Sequence, residues 1–119
     1  MSKYASYDAK VIELTQGNID NDHFYMREAR NMIPHDAIGG SNEALAGNPV
    51  AVTFVPGSAI ETDFDDEKKF FRKRGPVGEF FRLTGAEAGD FVLLTKITER
   101  QFEIRLLKTL LVQRAKDTT

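Results

Sequence analysis

Apolar and polar positions alternate in short runs along most of this chain, and few stretches hold a helical period. Val11 to Leu14 is a short β-prone run that ends in Thr15-Gln16-Gly17-Asn18. With Asn21-Asp22, these turn formers predict a loop over 15–22. His23-Phe24-Tyr25-Met26-Arg27 is rich in aromatic β-formers and predicts a second strand. In Met32-Ile33-Pro34-His35-Asp36-Ala37-Ile38-Gly39-Gly40, a Pro followed by an acid and Ala-Ile predicts a short helix stopped by the Gly pair. Residues 41–49 read as loop.

Pro49 to Val55 alternates as a strand, and Pro56-Gly57 turns it back into Ala59 to Phe64. Asp65 to Lys68 then forms a polar tip before a return strand, Lys69 to Arg74, giving an antiparallel meander. Val77, Phe80 and Phe81 lie at helical spacing behind Pro76, with Gly85 beyond the end, and predict a second short helix. After a turn at 85–90, Phe91 to Ile97 and Phe102 to Leu107 form a hairpin closed by residues 98–101. These elements predict a mainly β domain with barrel-like closure over 11–107. A frayed N-terminus (1–10) precedes it and a C-terminal extension (108–119) follows, in which Leu110-Leu111-Val112 is one more apolar run.

Composition narrows the classes. The 119 residues have room for one domain with one core. At 41% hydrophobic and 29% charged, the chain is too apolar for a disordered protein. No cysteine is present, so disulfides, zinc ribbons and thiol chemistry are excluded. Two histidines, His23 and His35, are too few for a metal cluster, and no cofactor is expected. No apolar run approaches membrane-spanning length and the N-terminal residues hold no apolar signal region, so a cytoplasmic location away from membranes is expected. A net charge of −2 argues against a protein that coats nucleic acid, but one basic face remains compatible with it.

Charge is concentrated in one place. Residues 61–74, ETDFDDEKKFFRKR, set Glu61, Asp63, Asp65, Asp66 and Glu67 directly before Lys68, Lys69, Arg72, Lys73 and Arg74. Cations held on a rigid element suit backbone phosphates, and Arg suits bidentate contacts. In an extended segment Lys69, Phe71 and Lys73 share one face, while Phe70, Arg72 and Arg74 share the other. The same run also fits an edge strand protected by charge against aggregation. Gln16, Asn18 and Asn21 carry amides suited to base edges, although turns favour such residues in any protein. Asp63 and Glu67-Lys68-Lys69 faintly echo the acid–acid–Lys pattern of metal-dependent nucleases, but the acids stand too close together. No nucleotide-binding glycine spacing occurs, and no catalysis is expected.

The order of elements resembles the B3-type DNA-binding pseudobarrel, known from plant transcription factors and from target-recognition domains of some bacterial restriction endonucleases. The resemblance covers roughly 11–107. It rests on Ile33-Pro34, the aromatic helix at Phe80-Phe81 and the Gly89-Asp90 turn, taken in that order, and the bacterial restriction-associated branch is the more similar. It implies a seven-stranded open pseudobarrel with two short helices that grips the major groove of double-stranded DNA with two arms, Thr15–His23 and Asp65–Arg74. The implied contacts are Gln16, Asn18, Asn21 and His23 from the first arm, and Lys68, Lys69, Arg72, Lys73 and Arg74 from the second. Fusion to or association with a nuclease, and a monomeric state, are also expected. The acids at 63–67 either read cytosine amino groups, or point away, or mark a copy without DNA binding. Charge reversal at Arg72 and Arg74 is expected to abolish binding and leave the melting midpoint nearly unchanged. The alternative is a protein- or small-ligand-binding module on the same barrel.

Overall fold

In a computed structural model, residues 8–109 form a mainly β domain of eight strands in two sheets, with short helices at the connections. The larger sheet has the order β1 (Asp8–Glu13), β7 (Phe91–Thr98), β8 (Gln101–Leu107), β3 (Val50–Val55), β4 (Ala59–Thr62). All its neighbours are antiparallel except β3 and β8, which run parallel. The smaller sheet has the order β2 (Ile38–Gly39), β5 (Phe64–Asp65), β6 (Phe70–Phe71). The sheets do not close into a barrel, which is compatible with the expected open pseudobarrel, with eight strands in place of seven. Among the described residues no helix is long and apolar enough to cross a membrane.

Alternation decides which side of the large sheet is buried. Val50, Val52 and Phe54 of β3, Val92 and Leu94 of β7, and Phe102 and Ile104 of β8 all point inward and are fully buried. The register sets Val52 beside Phe102, and Ile104 between Phe54 and Leu94. Helix α2 (Gly75–Thr84) lays Val77, Phe80 and Phe81 over this surface, with Phe80 and Phe54 ring centroids 5.6 Å apart. Burying each Phe contributes about 2–3 kcal/mol. Pro76 opens α2 and Gly85, in the left-handed conformation, closes it, as its sequence predicts.

Five expectations need correction. The segment 15–22 is not a loop: Gln16–Asn21 is helix α1. Thr15 Oγ1 accepts from the Asn18 N–H and Asn18 Oδ1 accepts from the Thr15 N–H, a capping box built with Asn. The segment 23–27 is not a strand, because its backbone is held by one cross-connection, Met26 N–H to the Lys69 carbonyl at 2.7 Å. The predicted helix at 34–38 is a 3-10 turn at His35–Ala37, preceded by another at Arg27–Met32. The return strand 69–74 shrinks to Phe70–Phe71, since Lys69 takes a positive φ of 66° at the turn. Residues 8–10, expected to fray, are paired in β1. The remaining expectations for the termini, at 1–7 and 110–119, lie outside the described residues.

Candidate nucleic-acid interface

The charged hairpin folds two of its acids, Asp63 and Asp65, inward. Phe64 lies opposite Phe71 and Asp65 opposite Phe70, so one step further Asp63 faces Arg72. Arg72 Nε donates to Asp63 Oδ1 at 2.6 Å, and Nη2 donates to Asp63 Oδ2 at 2.9 Å and to the Gly40 carbonyl at 2.7 Å. The Gly47 N–H completes the Asp63 carboxylate at 2.8 Å. The Arg72 side chain is only 16% exposed and that of Asp63 4%. Burial pushes the Asp63 carboxyl up, but the bonds from Arg72 and Gly47 outweigh it and leave the group below its ordinary value. A side chain at Gly39 would collide with Asp63 and with the Gly47 and Leu45 backbones, so glycine there lets the loop close over the pair.

Asp65 and Asp66 are also bonded within the fold, while Glu61 and Glu67 are exposed and form no ion pair among the described residues. Asp65 is buried; its Oδ1 accepts the N–H groups of Glu67 (3.1 Å) and Lys68 (3.0 Å) and so closes the tip. Asp66 accepts from Arg30 at 2.5 Å and Lys69 at 3.0 Å, and these bonds lower its carboxyl to about 2. Of the three ways the acids at 63–67 were open to act, pointing away is the geometry adopted by Asp63 and Asp65, whereas Asp66 pairs at the surface and Glu67 is exposed. Lys68, Lys73 and Arg74 remain exposed and pair with no carboxylate among the described residues. Lys73 and Arg74 also lead into the N-terminus of α2, whose first turn holds no acid, so the helix dipole adds to their field.

The first arm meets the second at one point. His23 stacks on Phe70 with centroids 4.7 Å apart and lies 4.9 Å from Tyr25. His23 is buried and its Nδ1 has no hydrogen-bond partner. Burial and the nearby Arg74 lower its pKa, with Asp22 opposing. Arg74 stands over the Phe70 ring at 5.8 Å. Gln16 and Asn21 are exposed on α1, where Gln16 donates to Asp20 and Asn21 to the Gly17 carbonyl. Asn18 is buried in the capping box. Of the nine residues named from sequence, Arg72, Asn18 and His23 are therefore built into the framework and Lys69 is balanced by Asp66. Lys68, Lys73, Arg74, Gln16 and Asn21 face solvent. The signal that would have separated Arg72 from Arg74 was the hairpin register, because opposite charges that face one another across a hairpin pair.

A third buried acid, Asp90, shows how this fold uses its carboxylates. Burial pushes the Asp90 carboxyl up, but bonds from Lys108 at 2.6 Å, the Thr109 and Glu87 N–H groups and the Thr109 hydroxyl bring it down to about 2. A carboxyl lowered on folding stabilises the native state above its unfolded pKa, and that stability is lost as pH falls through the folded one. Asp90 therefore contributes roughly 2 kcal/mol at neutral pH, an upper bound because Lys108 is open to water. Urea titrations from pH 5 to pH 2 are expected to show stability falling in acid, and Asp90→Asn is expected to remove part of that slope. An unchanged slope would mean Asp90 is as free in the folded chain as in the unfolded one.

An open two-sheet β domain with a basic, aromatic-supported hairpin is the class these features define. No protein-family model matches the chain, and no curated protein matches it. Among solved structures it is similar to the N-terminal domain of Helicobacter pylori LlaJI.R1, with a TM-score of 0.58 and 8% identity over 92% of this chain and 98% of that one. At that identity the likeness shows the fold.

Proposed function

We propose that this domain is a non-catalytic, sequence-specific binder of double-stranded DNA. Lys68, Lys73 and Arg74 meet phosphates and guanine edges, and Gln16 and Asn21 approach from α1. The observation that carries this is the internal neutralisation of the hairpin: Asp63, Asp65 and Asp66 are bonded within the fold, so the exposed cations keep their charge. Three of the run's five carboxylates thus stop counting against phosphate binding, while Glu61 and Glu67 stay exposed beside the cations. The fold's likeness to the N-terminal domain of Helicobacter pylori LlaJI.R1 is compatible with the B3-like pseudobarrel that this reading assumes. A cytoplasmic monomer working with or fused to a nuclease is the setting that goes with it.

Selection of bound duplexes from a random pool tests the specificity. Enrichment of one short sequence motif over successive rounds is the expected result. Retention of duplexes with no enriched motif would leave only charge-driven binding and sink the specific reading.

A further inference from the structure

We propose that Tyr25 and Arg27, outside both arms, form a further phosphate contact in which the tyrosine ring carries the arginine. This rests on the DNA-binding function above and adds a contact that neither arm supplies. Phe24 and Met26 are buried at 2% and 1%, so the alternate residues of this segment face outward. The bond from the Met26 N–H to the Lys69 carbonyl ties the segment to the hairpin tip. Tyr25 is 42% exposed, yet it is held in place by His23 at 4.9 Å and Phe70 at 6.1 Å.

The arginines sort in an instructive way. Among the described residues, Arg30, Arg72, Arg100 and Arg105 are each paired with a carboxylate, and Arg27, Arg74 and Arg82 are not. Two of those three stand over rings of the same aromatic cluster: Arg27 over Tyr25 at 4.9 Å and Arg74 over Phe70 at 5.8 Å. A carboxylate holds a guanidinium still but cancels its charge. A ring face holds it while leaving both the charge and the in-plane N–H donors free. Two guanidiniums preorganised in this way, on rings 6.1 Å apart, suit successive anionic groups on one polymer. With Arg74 already beside the hairpin cations, the polymer that fits is the phosphate backbone of the same duplex.

Salt titrations of one random duplex, with wild type and the variants Arg27→Ala, Tyr25→Ala, Tyr25→Phe, Tyr25→Ala/Arg27→Ala and Lys73→Glu/Arg74→Glu, test this. Arg27→Ala is expected to weaken binding about 3- to 10-fold at low salt and to reduce the slope of log K against log salt by about 0.9, the signature of one phosphate contact. Tyr25→Ala is expected to do the same in part, Tyr25→Phe to keep wild-type binding, and the Tyr25→Ala/Arg27→Ala pair to lose no more than Arg27→Ala alone. Melting midpoints are expected to stay at the wild-type value for Arg27→Ala, which breaks no ion pair. A wild-type slope and affinity in Arg27→Ala, with Lys73→Glu/Arg74→Glu impaired, overturns this contact and leaves DNA binding standing. Absence of duplex binding by the wild type overturns both.

Discussion

Arg72→Met is expected to cost about 3 kcal/mol of stability at pH 7 and to lower the melting midpoint by about 10–20 °C. The side chain sits in the most basic run of the chain, where a surface substitution would cost roughly half a kcal/mol or less. Its environment is different in kind. Removing the guanidinium strands the Asp63 carboxylate at 4% exposure and leaves the Gly40 carbonyl without its donor. An uncompensated buried charge loses far more than the net worth of the pair that held it. Two further measurements separate this from a general packing loss. Acidification is expected to shrink the deficit of Arg72→Met, because burial without the arginine raises the Asp63 pKa and protonation then removes the stranded charge. Adding Asp63→Asn is expected to recover part of the stability, giving a coupling energy in a double-mutant cycle. A melting midpoint unmoved by Arg72→Met would show a solvated side chain free to meet DNA, and would undo the assignment of Arg72 to the framework.

Lys73→Glu/Arg74→Glu is expected to behave in the opposite way. Both side chains are exposed and carry no ion pair among the described residues, so the fold has little to lose. Arg74 gives up its position over Phe70, which is worth about 0.5–1 kcal/mol. In return, two carboxylates enter the positive end of α2, where acids stabilise by about 0.3–1 kcal/mol each. The melting midpoint is therefore expected to stay close to the wild type. Duplex affinity at low salt is expected to fall on the order of 100-fold, since two attractive contacts become repulsive. Retained affinity with an intact fold would place the DNA interface elsewhere. The expectation that Arg72 and Arg74 act as one surface unit thus divides, with one residue holding the fold and its near neighbour free to bind.

Why that division was hidden in the sequence is instructive. Strands β3, β4, β7 and β8 and helix α2 were legible because a single variable set them: apolar spacing, punctuated by Pro and Gly. Val50, Val52 and Phe54 can only be a half-buried strand, and Val77, Phe80 and Phe81 behind Pro76 can only be a helix. The first arm misled because its signal was ambiguous. Thr15, Asn18 and Asn21 are turn residues, yet Thr15 and Asn18 also cap a helix when three apart, and Ile19 then packs against the core. Phe24 and Met26 alternate inward like strand residues, but no neighbouring strand completes a ladder, so the pattern was right and the element was wrong.

Charge was the least legible property. Arg72 and Arg74 are chemically equal in the sequence, and what distinguishes them is a carboxylate nine residues upstream and a carbonyl at Gly40, brought together by the hairpin register and the close approach of Gly39 and Gly47. Arg27 lay outside the basic run, and its relation to Tyr25 became visible only when the aromatic cluster formed. A count of charges does not reveal which are already spent.

Salt dependence of duplex binding by the wild-type domain bears most directly on the central claim, that the hairpin bonds Asp63, Asp65 and Asp66 within the fold and offers its free cations to a phosphate backbone. With Lys68, Lys73, Arg74 and Arg27 engaged, log K is expected to fall linearly with log salt with a slope of roughly −3 to −4. No binding at low salt, or an affinity indifferent to salt, would contradict it.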